Sequence, residues 1–285
     1  MSDRGRSRGV NRRAFLSTVG AGVSAFAGCL GGTDGSTPNG TPRCSTTEAM
    51  DGPKASDDLP DDASPGDGYP PAFETTPDGC SVDPGSFETE PRNGEDVPLA
   101  PVEATYYWYA RGEARFVDAR GQGQYDASHV YGAVSSPATN TMSDDPVESW
   151  PTDDRIVCYC GCPHHLSSIR AADLMEQGYT DVYVIDEGFF EWTDRDYPIA
   201  GGDVSDRPAR RTIEGRVDPR FAGDTAWARH TASDQVEATE IASDGRFSLH
   251  LYFAGVTDDA RITVETPAYR TTAPLGDLTS EVVSA

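Results

Sequence analysis

Arg155-Ile156-Val157-Cys158-Tyr159-Cys160-Gly161-Cys162-Pro163-His164-His165-Leu166-Ser167-Ser168-Ile169-Arg170-Ala171-Ala172-Asp173-Leu174-Met175-Glu176-Gln177-Gly178 reads as a strand, a turn and a helix in one run. Arg155 to Tyr159 has a short apolar centre, the mark of a buried strand. Ser167 to Gln177 predicts a helix. Ser167 or Ser168 offers a hydroxyl to its first turn, and Ile169, Ala172 and Leu174-Met175 supply an apolar stripe. Gly178 ends it. Upstream, Val102 to Ala110 is aromatic-rich with helical spacing, and Ala114 to Asp118 is another short strand; downstream, Asp181 to Ile185 is the next. Strands alternating with helices predict an α/β fold, a parallel sheet with helices on both faces.

The texture changes beyond residue 208. Thr212 to Val217, Ala226 to Arg229, Arg246 to Tyr252 and Ala260 to Val264 alternate as strands, separated by Ser243-Asp244-Gly245 and Thr257-Asp258-Asp259. Short strands at this spacing predict a small all-β antiparallel sandwich over 209–285.

The first 28 residues read as an export signal rather than structure. Arg12-Arg13 precede Ala14-Phe15-Leu16 in a twin-arginine pattern, and the apolar stretch to Leu30 is short for a span of about 20 residues. Phe26-Ala27-Gly28-Cys29 resembles a lipobox, which makes Cys29 the lipidated residue. The expected location is the extracytoplasmic face of the cell membrane, held by lipid. Residues 29–97 are rich in Gly, Pro, Ser, Thr and Asp and read as an acidic, solvated tether. Cys44 and Cys80 lie inside it, and an oxidising compartment favours their pairing. A bridge there implies more order than the composition suggests.

The chain has 47 acidic and 23 basic residues, a formal charge of −24. Five Arg and one Asp fall in the first 28 residues, so the remainder carries −28. Such an excess excludes nucleic acid as a partner, because phosphates are repelled. It matches the halophilic pattern of dense surface carboxylates.

The central segment resembles the rhodanese-like sulfurtransferase family. Phe116-Val117-Asp118-Ala119-Arg120 looks like the family's strand ending in Asp-x-Arg. Tyr125 followed by Ser128-His129-Val130-Tyr131-Gly132-Ala133 looks like its Gly-His-Ile-Pro-Gly-Ala segment. Val157 to Cys160 looks like the strand that runs into the active cysteine, and Gly178-Tyr179, Val182 to Val184, Gly188 to Trp192 and Tyr197-Pro198-Ile199 look like the close of the domain. The resemblance covers 98–202. It implies a persulfide on a cysteine, a small sulfur-containing donor, a thiol or cyanide acceptor and no cofactor or metal. Asp118, Arg120 and His129 are then structural, tying loops beneath the site. The run from Ile213 through Ala242–Val256 to Tyr269 resembles the carboxypeptidase-regulatory or transthyretin-like sandwich, a module for spacing, for a protein partner or for covering the site.

A thiolate needs a lowered pKa, and a loop between a strand end and a helix N-terminus supplies inward N–H groups and a favourable dipole. Counted from the strand, Cys160 is the nucleophile; counted back from Ala171-Ala172, Cys162 is. The first count is preferred, since loops absorb insertions more readily than strands. Cys162 is then a second or resolving thiol, and Cys158 a small buried residue. Gly161, His164, His165 and Ser167 are the expected substrate-binding positions. The loop departs from the family's Cys-x-x-Gly-x-Arg: it has no Arg at that offset and is about two residues longer. His164 and His165 either replace those donor groups or are plain loop residues. Two further readings stand beside the enzyme: a non-catalytic partner-binding module, and a Cys/His metal site built from Cys158, Cys160, Cys162, His164 and His165.

Overall fold

The computed structural model describes residues 44, 52–57, 59, 67–139, 143–161, 163–205 and 207–284. The export signal, Cys29 and Cys162 lie outside the described residues.

The first module is a six-stranded sheet built from β1 (Glu88–Arg92), β2 (Glu95–Ala100), β3 (Arg115–Asp118), β5 (Val134–Ser135), β6 (Arg155–Tyr159) and β7 (Asp181–Ile185). Their order is β1-β2-β7-β6-β3-β5, and all pairs are parallel except the β1–β2 hairpin. The short strands β4 (His129–Val130) and β8 (Ile199–Ala200) pair apart from it. The two-residue period of a strand decides which helix each side chain meets. Phe116, Val157, Tyr159, Tyr183 and Ile185 face the aromatic layer of α1 (Val102–Ala110) and α4 (Phe189–Asp194). Val117, Ile156, Cys158, Val182 and Val184 face Ala171, Ala172 and Leu174 of α3 (His165–Glu176). The remaining helix of this module is α2 (Gln122–Ala127). Every residue of α1 is buried, because both the sheet and the preceding chain cover it.

That preceding chain corrects the tether expectation. Residues 88–97, read as tether, form β1 and the start of β2 inside the sheet. Upstream, the Tyr106 hydroxyl donates to the Pro53 carbonyl at 2.7 Å, and Tyr107 bonds both the carbonyl and the N–H of Cys80. Phe87 meets Trp108 and Tyr183 edge-on, and Phe73 lies against Tyr109. A few aromatic anchors, rather than a hydrophobic period, hold this stretch, which is why composition misread it. Cys44 and Cys80 form a disulfide with a Cα separation of 4.9 Å, packed on the aromatic layer.

The second module is a sandwich. One sheet has the order β11 (Gln235–Glu240), β10 (Thr225–His230), β13 (Arg261–Glu265), β14 (Arg270–Pro274); the other pairs β12 (Arg246–Leu251) with β9 (Arg211–Arg216). All pairs are antiparallel. Ile213, Phe247, Leu249 and Leu251 from one layer meet Ala226, Ala228, Ile262 and Val264 from the other. A short helix, α5 (Leu275–Ser280), closes one end with Leu275 and Leu278. The strands β11 and β14 were not anticipated. Among the described residues no helix is long and apolar enough to cross a membrane.

Candidate functional site

Cys160 stands one residue past β6, at the carboxyl end of the parallel sheet. The chain leaves β3 towards β5 on one side and returns to β6 on the other. The crevice where strand order reverses in this way is where open α/β sheets bind ligands. Its two walls are the turn after β3, Ala119 to Gly121, and the loop after β6.

The β6 loop feeds directly into α3. This helix begins at His165, two residues before the expected start, so Ser167 lies in its first turn instead of capping it. The consequence is favourable to chemistry. The Ser167 hydroxyl lies 3.3 Å from the Cys160 sulfur, and the sulfur also accepts from the backbone N–H groups of Leu166 and Ser167. Those N–H groups are unpaired donors of a helix N-terminus, where negative charge is stabilised. The carbonyl of Cys160 accepts from the Phe189 N–H at 2.8 Å, which ties the loop to α4.

The expectation of a lowered thiol pKa is nevertheless overturned in this arrangement. Cys160 is only 1% exposed. Burial, then the Glu237 carboxyl, push its thiol up to about 11, against the opposing hydrogen bonds from Ser167 and Leu166. A charge removed from water costs more than two or three hydrogen bonds return. Cys158, two residues earlier on the same side of the sheet, is pushed up by burial to about 12.

The cover comes from the second module. Cys160, Leu166 and Ala119 pack with Val236 and Ala238 of β11. The Gln124 amide oxygen accepts from Gly121 N–H at 3.1 Å and from Val236 N–H at 3.0 Å, while its NH2 donates to Glu237 Oε1 at 3.0 Å. Glu237 is 2% exposed, and its Oε1 lies 3.3 Å from where a Cβ on Gly161 would be. Burial pushes the Glu237 carboxyl up to about 8, although the Arg120 guanidinium and the Gln124 amide oppose this. The Phe190–Tyr252 ring pair, 4.3 Å between centroids, and the Arg92–Glu240 ion pair at 3.4 Å flank the contact.

Beneath the site, Asp118 grips Arg120 through Nε at 2.9 Å and Nη2 at 2.6 Å, and Arg120 also donates to the Ser128 carbonyl. His129 stacks on Tyr125 and bonds its carbonyl at 2.7 Å; burial lowers its pKa. The loop histidines meet a different set of partners. His164, at φ 35°, contacts Glu90 through Nδ1 at 2.8 Å and Asp186 through Nε2 at 3.5 Å, and the Glu90 bond raises its pKa. Burial opposes ionisation of Glu90, but His164 and Arg92 outweigh it and hold that carboxyl near about 2. His165 is lowered to about 4, by burial and then by Arg92, and its buried Nε2 has no hydrogen-bond partner among the described residues. The structure therefore gathers Cys160, Gly161, Ser167, Asp118 and Arg120, and adds Gln124 and Glu237. Among the described residues no group of three His, Cys, Asp or Glu side chains is placed to hold a metal, so the metal reading gains no support.

Residues 104–195 match the family model of the rhodanese-like domain. The chain is also similar to the solution structure of a rhodanese-like domain from Anabaena, at 20% identity, covering 39% of this chain and 85% of that one with a TM-score of 0.34. It is similar to a human single-domain sulfurtransferase at 20% identity, covering 34% and 96% with a TM-score of 0.30. A thiosulfate sulfurtransferase from Pseudomonas aeruginosa matches at 20% identity, covering 37% and 20% with a TM-score of 0.33. By the family-model match, residues 104–195 form a rhodanese-like domain.

Proposed function

We propose that this chain is an extracytoplasmic, membrane-anchored sulfurtransferase that carries sulfur on Cys160. One observation carries the reading: the Cys160 sulfur lies at the carboxyl end of β6, within hydrogen-bonding reach of the Ser167 hydroxyl and the first N–H groups of α3. The thiolate attacks the outer sulfur of a donor. A new S–S bond forms on Cys160, and the donor's own bond to that sulfur breaks, its electron pair leaving with the remainder of the donor. The same N–H groups steady the resulting persulfide anion. A thiol or cyanide acceptor then takes the outer sulfur and returns Cys160 to a thiolate. Anchoring rests on the Arg12-Arg13 pattern and on Cys29, and Cys29→Ser should move the protein from the membrane fraction to the soluble one.

A second reading, a partner-binding module without catalysis, is favoured by the covered, raised thiol of Cys160. Intact mass spectrometry decides between them. After reductive pretreatment the chain is incubated with thiosulfate or with an organic persulfide. Gain of one sulfur in the wild type, absent in Cys160→Ser, is expected. Equal gain in Cys160→Ser overturns the assignment, and no gain from either donor supports the binding module.

A further inference from the structure

Gly121 and Gly123 have room for no side chain, and the second module takes that room. A Cβ on Gly121 would stand 2.2 Å from the carbonyl oxygen of Asp234, and one on Gly123 would stand 1.8 Å from that of Ser233. In each case the three nearest atoms all belong to Ser233–Gln235, the turn that leads into β11. Neither glycine is needed for its backbone angles: Gly121 has φ −68°, and Gly123 lies within the short helix α2. The demand for glycine is therefore one of close approach, and the approaching chain is the sandwich module. The Gly123 N–H donates to the Asp234 carbonyl at 3.1 Å, and Gln124 binds Val236 and Glu237 together. Gly121, Gly123 and Gln124, at the start of α2, are thus shaped to receive β11.

What β11 brings to the crevice is a carboxyl. Glu237 lies beside Gly161 and Arg120, in the space where a donor must approach the Cys160 sulfur. Arg120 is already held by three side-chain hydrogen bonds to Asp118, which shares its charge. An anion brought next to Glu237 in a buried space meets either a repelling carboxylate or a proton that must stay in place.

We propose that β11 is an intramolecular cover on the Cys160 site, and that Glu237 is the residue through which the cover shuts out anionic reagents. This rests on Cys160 being the sulfur carrier only for its consequence: the docked chain takes sulfur slowly from small anionic donors such as thiosulfate, and lifting β11 speeds the loading. The cover itself is tested without sulfur chemistry. Cys160 is alkylated with iodoacetamide, which is neutral, or iodoacetate, an anion, and labelling is read at that residue by peptide mass spectrometry. Gly123→Ala and Gln124→Ala should label at least about tenfold faster than wild type, the effect of about 1.4 kcal/mol lost from docking. Gly79→Ala, whose added Cβ meets nothing within 4 Å, should label as wild type does. At about pH 9, where the docked Glu237 carboxyl carries its charge, Glu237→Gln should raise the iodoacetate-to-iodoacetamide rate ratio by about tenfold. Wild-type labelling as fast as in both cover variants overturns the cover, and an unmoved ratio in Glu237→Gln overturns the role of the carboxyl. If Gly123→Ala loses its folded circular dichroism, Gln124→Ala and Glu237→Gln decide. A labelled but sulfur-free Cys160 in the opened variants would instead overturn the sulfurtransferase reading and leave the cover standing.

Discussion

At Cys160 two opposed sets of forces meet on one sulfur atom. The Ser167 hydroxyl and the N–H groups of Leu166 and Ser167 favour the thiolate; burial and Glu237 favour the thiol, and they win. Lifting β11 removes the winning set and leaves the losing one in place, since α3 belongs to the α/β module. Ser167→Ala then has a defined consequence. It removes a hydrogen bond to a charged sulfur, worth about 1.5 to 3 kcal/mol, so in the Gly123→Ala background the Cys160 pKa should rise by about one unit or more at about 1.4 kcal/mol each. The pH profile of iodoacetamide labelling reads that shift; an unchanged midpoint would remove the hydroxyl from the cradle. Cys162→Ser, in the same background, should keep part of its sulfur loading while Cys160→Ser loses all, and the opposite pattern reassigns the nucleophile. Cys160 and its serine were legible in sequence because strand, turn and helix start fall within 13 residues, Arg155 to Ser167. Glu237 was not. It reaches the loop from the far module, and a glutamate in an alternating strand looks like one solvated face. His164 and His165 were read as possible donor groups, but their strongest partners, Glu90 and Arg92, sit on a strand that composition had concealed.

Docking of β11 is an element-scale equilibrium, and its pH dependence follows from Glu237. In the docked state burial pushes this carboxyl up to about 8; once lifted into water it returns to an ordinary carboxylate value near about 4.3. The charged or titratable groups facing it are Arg120 and Asp118 from the β3 end and the Cys160 thiol from the β6 end. A raised pKa in the docked state means that docking retains a proton. The contribution is therefore complete below the undocked pKa and is lost as pH rises through the docked one. Between about pH 5 and pH 9 the cover should loosen progressively. The protection factor of the Val236 amide, which donates to Gln124, should fall over that window in native-state hydrogen exchange, and Glu237→Gln should flatten the fall. Constant wild-type protection across the window would show that Glu237 does not titrate with docking. The parallel strands and α3 were legible from apolar runs and helical spacing. Strand β11 was not, because Gln235, Val236, Glu237 and Ala238 are all buried, and a strand covered on both faces by different modules need not display either pattern cleanly.

Two devices act on the molecule as a whole, one covalent and one electrostatic. The Cys44–Cys80 disulfide fastens a segment with little regular structure against the aromatic layer of α1. With a sequence separation of 36, the chain-entropy model assigns it about 3 to 4 kcal/mol through constraint of the unfolded chain. Cys44→Ala with Cys80→Ala should lower the denaturation midpoint accordingly. The electrostatic device is the net charge of −24. Several charge pairs sit at the surface, such as Arg207–Asp194 and Arg270–Glu265, where each contributes about 0 to 1 kcal/mol. They lose strength as salt rises, but there are too few cations to pair with 47 carboxylates. Self-repulsion of the unpaired acids disfavours the compact state and is screened by the same ions. The Debye length falls from about 10 Å at 0.1 M to about 3 Å at 1 M, so repulsion between neighbouring surface acids is removed over that range. The balance lies with the repulsion. The melting temperature should therefore climb from 0.1 to 2 M KCl, most steeply below about 1 M where the Debye length changes fastest. A flat or falling curve would show that the surface pairs outweigh the excess acids, and the halophilic reading would go with it.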